Sequence, residues 1–125
     1  MEDLEYPMPT DLTSCFSVLD QVMQNSDKEE SEWFKSSDEE TVVSVTHSGF
    51  GMWIRNTWEL WQKESVMYNY FNSKFGLWHA DDMSAMIITS YHRHINKKEL
   101  ALTEQVDHFL KYWKDYEQQN GPVQK

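Results

Sequence analysis

The chain has 125 residues, a formal net charge of −10, one cysteine and an aromatic fraction of 14%. This length supports one hydrophobic core, and so many aromatic residues exclude intrinsic disorder. A lone Cys15 excludes an internal disulfide, and the negative charge disfavours direct contact with nucleic acid or anionic membranes.

The charge is unevenly placed. Residues 1–40 hold twelve Asp/Glu against two Lys/Arg, whereas residues 41–125 hold nine of each. The opening Met1-Glu2-Asp3-Leu4-Glu5 lacks the apolar run of a signal peptide. No stretch approaches the ~18 apolar residues of a membrane span, so a cytoplasmic protein is expected.

In chain order, residues 1–9 carry Pro7 and Pro9 and read as an extended lead-in. Thr10 is the expected cap of a first helix over residues 11–24, with Leu12, Phe16, Leu19 and Val22/Met23 on its buried face. Ser26 with Glu29 gives a capping-box pattern for a short second helix anchored by Trp33 and Phe34. Ser36 or Ser37, followed by Asp38, Glu39 and Glu40, opens a third. Thr41 to Thr46 is β-branched, yet helix is favoured because no second strand-like run exists to pair with it.

Ser48-Gly49 breaks the chain before an aromatic central helix over residues 50–63. Gly49 to Trp61 contains three of the six tryptophans, with Phe50, Trp53, Ile54, Trp58 and Trp61 on one face. Arg55 and Glu59 fall opposite and are spaced to pair. Ser65 starts the next helix, with Val66/Met67, Tyr70/Phe71 and Phe75 inward and Gly76 as its stop. Leu77 and Trp78 form a buried linker. Asp81 is the expected cap of the following helix, whose stripe is Met83, Ile87, Ile88, Tyr91 and Ile95; Asn96 ends it. Thr103 caps the last helix, with Val106, Phe109, Leu110, Trp113 and Tyr116 inward. The expectation is an all-α bundle of five to seven short helices: residues 10–118 form one helical domain and residues 119–125 a frayed tail.

No reaction signature is present. His92 and His94, two apart, lie on different sides of a helix, and His79, Asp81 and Asp82 serve better as cap and first-turn acids than as metal ligands. His47-Ser48-Gly49 lacks the Gly-x-Ser-x-Gly elbow, and Gly49-Phe50-Gly51 lacks the rest of a phosphate loop. That glycine pair is more simply a tight turn packing the helix start against a neighbour. Cys15, among apolar helix positions, reads as a core residue. No catalytic residue, metal or cofactor is assigned, and a non-enzymatic role is favoured. Arg55, if buried, needs a carboxylate, and Asp81 or Asp82 can supply it.

Gly51-Met52-Trp53-Ile54-Arg55-Asn56, Leu60-Trp61, Asp81-Asp82-Met83-Ser84 and Ser90-Tyr91-His92-Arg93 together resemble a small bacterial and phage-borne family classed as a domain of unknown function. The resemblance runs from about Pro9 to about Trp113. It departs where the family tends to have Gly, at Glu59, and Pro, at Ala80. It implies a compact helical domain and supplies no reaction.

Two functional expectations follow, with a third behind them. The first is an acidic interaction protein, of the inhibitor, immunity or phage host-takeover kind, that binds a basic protein surface through Asp27, Glu29, Glu30, Glu32, Asp38, Glu39 and Glu40. The second is a ligand-binding or enzymatic domain with a polar pocket built from Arg55, Asn56, Asp81, Asp82, Tyr91, His92 and Arg93. The third is a homo-oligomeric subunit, since six tryptophans exceed what a small core readily hides.

Overall fold

The computed structural model describes residues 5–125. Seven helices follow one another: α1 (Leu12–Asn25), α2 (Lys28–Ser36), α3 (Glu39–Thr46), α4 (Phe50–Thr57), α5 (Val66–Phe75), α6 (Ala80–Ile95) and α7 (Leu102–Asn120). No strand occurs among the described residues, so the all-α expectation holds, Thr41 to Thr46 included.

The caps shift by a residue or two from those expected. Asp11, not Thr10, caps α1: its carboxylate accepts from the Ser14 amide, and Ser14 Oγ accepts from the Asp11 amide. Asp27, not Ser26, caps α2, while the Ser26 hydroxyl turns back to the Val22 carbonyl at the end of α1. His79, not Asp81, caps α6, and α7 begins after Ala101 rather than at Thr103. Ser65 and Gly76 start and stop α5 as expected; Gly76 has φ 73°, a left-handed turn suited to glycine.

The aromatic helix is shorter than its periodicity implies. α4 ends at Thr57, and Glu59 takes a left-handed φ of 55°. The chain then turns through residues 58–65, which buries Trp58 and Leu60 but leaves Trp61 55% exposed. Glu59 therefore never stands one turn from Arg55 on a helix, and the expected pair between them does not form.

α6 is the hub. It packs against α1, α2, α3, α4 and α7. Its Met83, Met86, Ile87, Ile88 and Tyr91 are all buried, together with Ser84, Ser90 and His92. The core around it gathers Cys15 and Leu19 of α1, Phe34 of α2, Val42 of α3, Ile54 of α4 and Phe71 of α5. Cys15 is enclosed, and burial pushes its thiol pKa far up, so it stays protonated and inert. α7 lies at the margin. Val106, Phe109 and Trp113 are half-buried, while Leu110, Tyr112 and Tyr116 of the same helix are exposed. The stripe expected to sink α7 into the core is covered along only part of its length.

Candidate functional site

The seven residues of the expected polar pocket do not converge. Five of them lie on α6, with 81 and 82 in its first turn and 91, 92 and 93 about three turns further on at its other end. Each ties α6 to a different element.

Arg55 of α4 is 3% exposed. Its Nη1 donates to Ser84 Oγ at 2.9 Å and its Nη2 to the His47 carbonyl at 2.9 Å. Asp81 Oδ1 stands 3.4 Å from Nε, close enough for an ion contact but without hydrogen-bond alignment. The expected tie between Arg55 and the Asp pair exists, and Asp81 makes it. Asn56, next in sequence, is exposed and takes no part. Gly51 lets this junction close: a Cβ there would lie 3.0 Å from Arg55 Nη1 and 3.2 Å from the Thr46 carbonyl. The glycine is a packing device, as the tight-turn reading holds.

Asp82 accepts from Trp113 Nε1 of α7 at 2.8 Å. Burial raises its pKa above the usual aspartate range, and the Trp113 bond offsets only part of that rise. Tyr91 donates its phenol to Asp20 of α1 at 2.7 Å. Burial first, then the Asp20 carboxylate, holds that phenol protonated. His92 is buried, with Nε2 2.8 Å from the Ser37 carbonyl; a carbonyl only accepts, so Nε2 carries the proton. Arg93 grips Glu39 of α3 through Nε at 2.6 Å and Nη2 at 3.1 Å, and donates from Nη1 to the Leu100 carbonyl. The Arg93 hydrogen bonds hold the Glu39 carboxyl below the usual glutamate range.

Glu39 is thus engaged in the fold and leaves the set of acids expected to meet a partner. The others stand differently. Asp27, Glu29, Glu30, Glu32, Asp38 and Glu40 are all exposed on α2, α3 and their caps. Glu32 has a loose 4.0 Å contact with Lys28, and the remaining five make no ion pair among the described residues.

Beside this face runs a groove that the sequence reading missed. About 740 Å³ in volume, it lies between α1, α2, the lead-in and the start of α4. Its walls include Tyr6, Phe34, Phe50 and Trp53, and Asp27 and Glu30 stand among its polar residues. The rings touch in series: Tyr6 edge-on to Trp53 at 6.1 Å, Trp53 stacked on Phe50 at 5.9 Å, Phe50 edge-on to Phe34 at 6.1 Å. The only trace in sequence was the density of aromatic residues at 33, 34, 50 and 53. A smaller cleft of about 350 Å³, between α3, α6 and α7, has the Arg93–Glu39 pair in its wall with Glu104 and His108.

Fold and surface together define a small helical domain with an acidic flank and an aromatic groove beside it. The chain belongs to the family described as Domain of unknown function (DUF6794), whose model matches residues 8–95. The match takes in α1 to α6 and stops short of α7, nearer than the end at Trp113 that the resemblance suggested. Comparison with curated proteins gave no match, and comparison with solved structures gave none.

Proposed function

We propose that this chain is a small acidic interaction protein that occupies a basic surface on another protein, working in the cytoplasm as an inhibitor, immunity protein or phage host-takeover factor. The observation that carries the reading is the acidic flank: six exposed carboxylates gathered on α2, α3 and their caps, in a chain whose residues 41–125 are charge-balanced. A field of that sign attracts cationic partners and steers their approach. The polar residues of α6, by contrast, are occupied in holding helices together, which leaves them little free capacity for a ligand.

The test is capture from lysate of the source cell, washed at low and at high salt, with the wild-type chain and with Glu29→Lys/Glu32→Lys/Glu40→Lys. These three positions are exposed and neither cap a helix nor form a core contact. A basic protein held at low salt, released at high salt and lost by the variant is the expected result. The variant's helical circular dichroism should be unchanged. Equal capture by both chains would contradict the reading.

A further inference from the structure

We propose that the aromatic groove seats an amphipathic segment of the partner protein, one that sets a large apolar side chain beside a lysine or arginine. The inference rests on the acidic-flank reading and gives the basic partner a defined point of entry.

The walls supply the apolar half. A groove of about 740 Å³ falls within the roughly 300–1,000 Å³ of pockets that enclose ligands. Phe34 forms its buried floor, while Phe50 and Trp53 are half-buried and offer ring surface toward it. An aromatic or aliphatic anchor inserted there sheds water against the ring walls, and a few such side chains can carry most of a binding energy.

The rim supplies the charge. Asp27, the cap of α2 whose carboxylate accepts from the Glu29 amide, and Glu30 in the first turn both line the groove. Neither is in an ion pair among the described residues. Trp33, on the same helix and 38% exposed, lines the groove too and offers an indole face to a cation. Arginine, planar and forked, suits a carboxylate pair beside an indole better than lysine does. An apolar stripe flanked by cations is the pattern of an amphipathic helix laid in a groove. A nucleic acid or an anionic membrane would bring like charge to this rim. A second copy would bring the same acidic flank.

Gly49 offers a clean way to block the groove. It lines the cavity, and a Cβ built on it meets nothing within 4 Å. Gly49→Phe, whose Cβ meets no neighbour, is the variant designed to obstruct the groove. Glu30→Lys reverses the rim at an exposed position and carries the test if the first variant does not fold.

A displayed library of random dodecapeptides is panned on the full chain, and the enriched peptides are titrated calorimetrically against the wild type and each variant. The expected peptides pair Trp, Phe or Leu with Arg or Lys, and Gly49→Phe and Glu30→Lys weaken them by about tenfold or more. Circular dichroism and Tm verify that each variant is folded. An empty selection, peptides without basic residues, or peptides without large apolar residues would overturn the inference. So would a concentration-dependent dimer of the wild type that Gly49→Phe abolishes. If Gly49→Phe and Glu30→Lys leave binding intact while Glu29→Lys/Glu32→Lys/Glu40→Lys weakens it, the groove is not the seat and the acidic-flank reading stands. If no variant weakens it, both fall.

Discussion

Arg55 shows how one buried charge can organise a junction without making a site. Its guanidinium satisfies a carbonyl and a hydroxyl and meets a carboxylate that is itself 42% exposed. Removing the arginine takes the donor from the His47 carbonyl and one of the two bonds of Ser84 Oγ, which still donates to the Asp81 carbonyl, whereas removing the Asp81 charge keeps both Arg55 hydrogen bonds and loses the ion contact. Arg55→Leu should therefore cost about 2–4 kcal/mol, and Asp81→Asn, which leaves the buried guanidinium without a carboxylate, less, about 1–2 kcal/mol, both read by urea denaturation. Comparable losses would mean that the ion contact, not the hydrogen bonds, holds the junction. Two other carboxylates carry opposite pH signatures. The folded pKa of Glu39 is depressed by Arg93. Its contribution is full above the ordinary glutamate pKa and is lost as pH falls through the lower folded value. Glu39→Gln should be destabilised at neutral pH and converge on the wild type in acid. The folded pKa of Asp82 is raised by burial. Its ionisation opposes folding above that raised value, and the penalty vanishes below the ordinary aspartate pKa. Asp82→Asn keeps an acceptor for Trp113 and should be more stable than the wild type at neutral pH, with the gap closing in acid. Denaturation midpoints across pH separate the two signs.

At the scale of the element, helix existence was legible and helix endings were not. The 3.6-residue spacing of Leu12, Phe16 and Leu19, or of Met83, Ile87 and Tyr91, follows from burial on one face and survives in the fold. Caps moved because Thr10 and Asp11, or Ser26 and Asp27, are adjacent residues equally able to accept from a helix amide. α4 was overextended because Trp58 and Trp61 continue the aromatic rhythm past the point where Glu59 turns left-handed, with no Gly or Pro to mark it. A left-handed position suits glycine better than glutamate. Glu59→Gly should raise stability by about 1 kcal/mol, because the left-handed strain outweighs the added chain entropy. A loss of stability on thermal denaturation would contradict that account of the turn. Gly51 gives the reverse case: it is helical, yet the Thr46 carbonyl crowds it. Gly51→Ala should cost about 1–3 kcal/mol despite the better helix propensity of alanine. A gain in Tm would show that α3 and α4 can move apart without penalty. The pairing of Arg55 with Asp81 was readable, since a buried arginine demands a carboxylate. The scatter of the other five residues was not, because sequence proximity on α6 does not say which neighbour each side of the helix meets.

For the whole molecule, the division of charge is the feature that sequence and surface share. The excess of −10 lies in residues 1–40, and the fold keeps six of those carboxylates exposed on one pair of helices instead of neutralising them. Glu39 alone among the seven expected acids is drawn inward, by Arg93. Such a surface acts chiefly on the rate of encounter, and salt screens it over a Debye length of about 8 Å at physiological ionic strength. The most direct measurement is the association rate of the captured partner with the wild-type chain and with Glu29→Lys/Glu32→Lys/Glu40→Lys across a series of salt concentrations. The account predicts a wild-type rate that falls steeply with salt and a variant rate that is slow and nearly flat, with the difference residing in association more than in dissociation. Parallel salt dependences for the two chains would contradict it and remove the acidic flank from the binding mechanism.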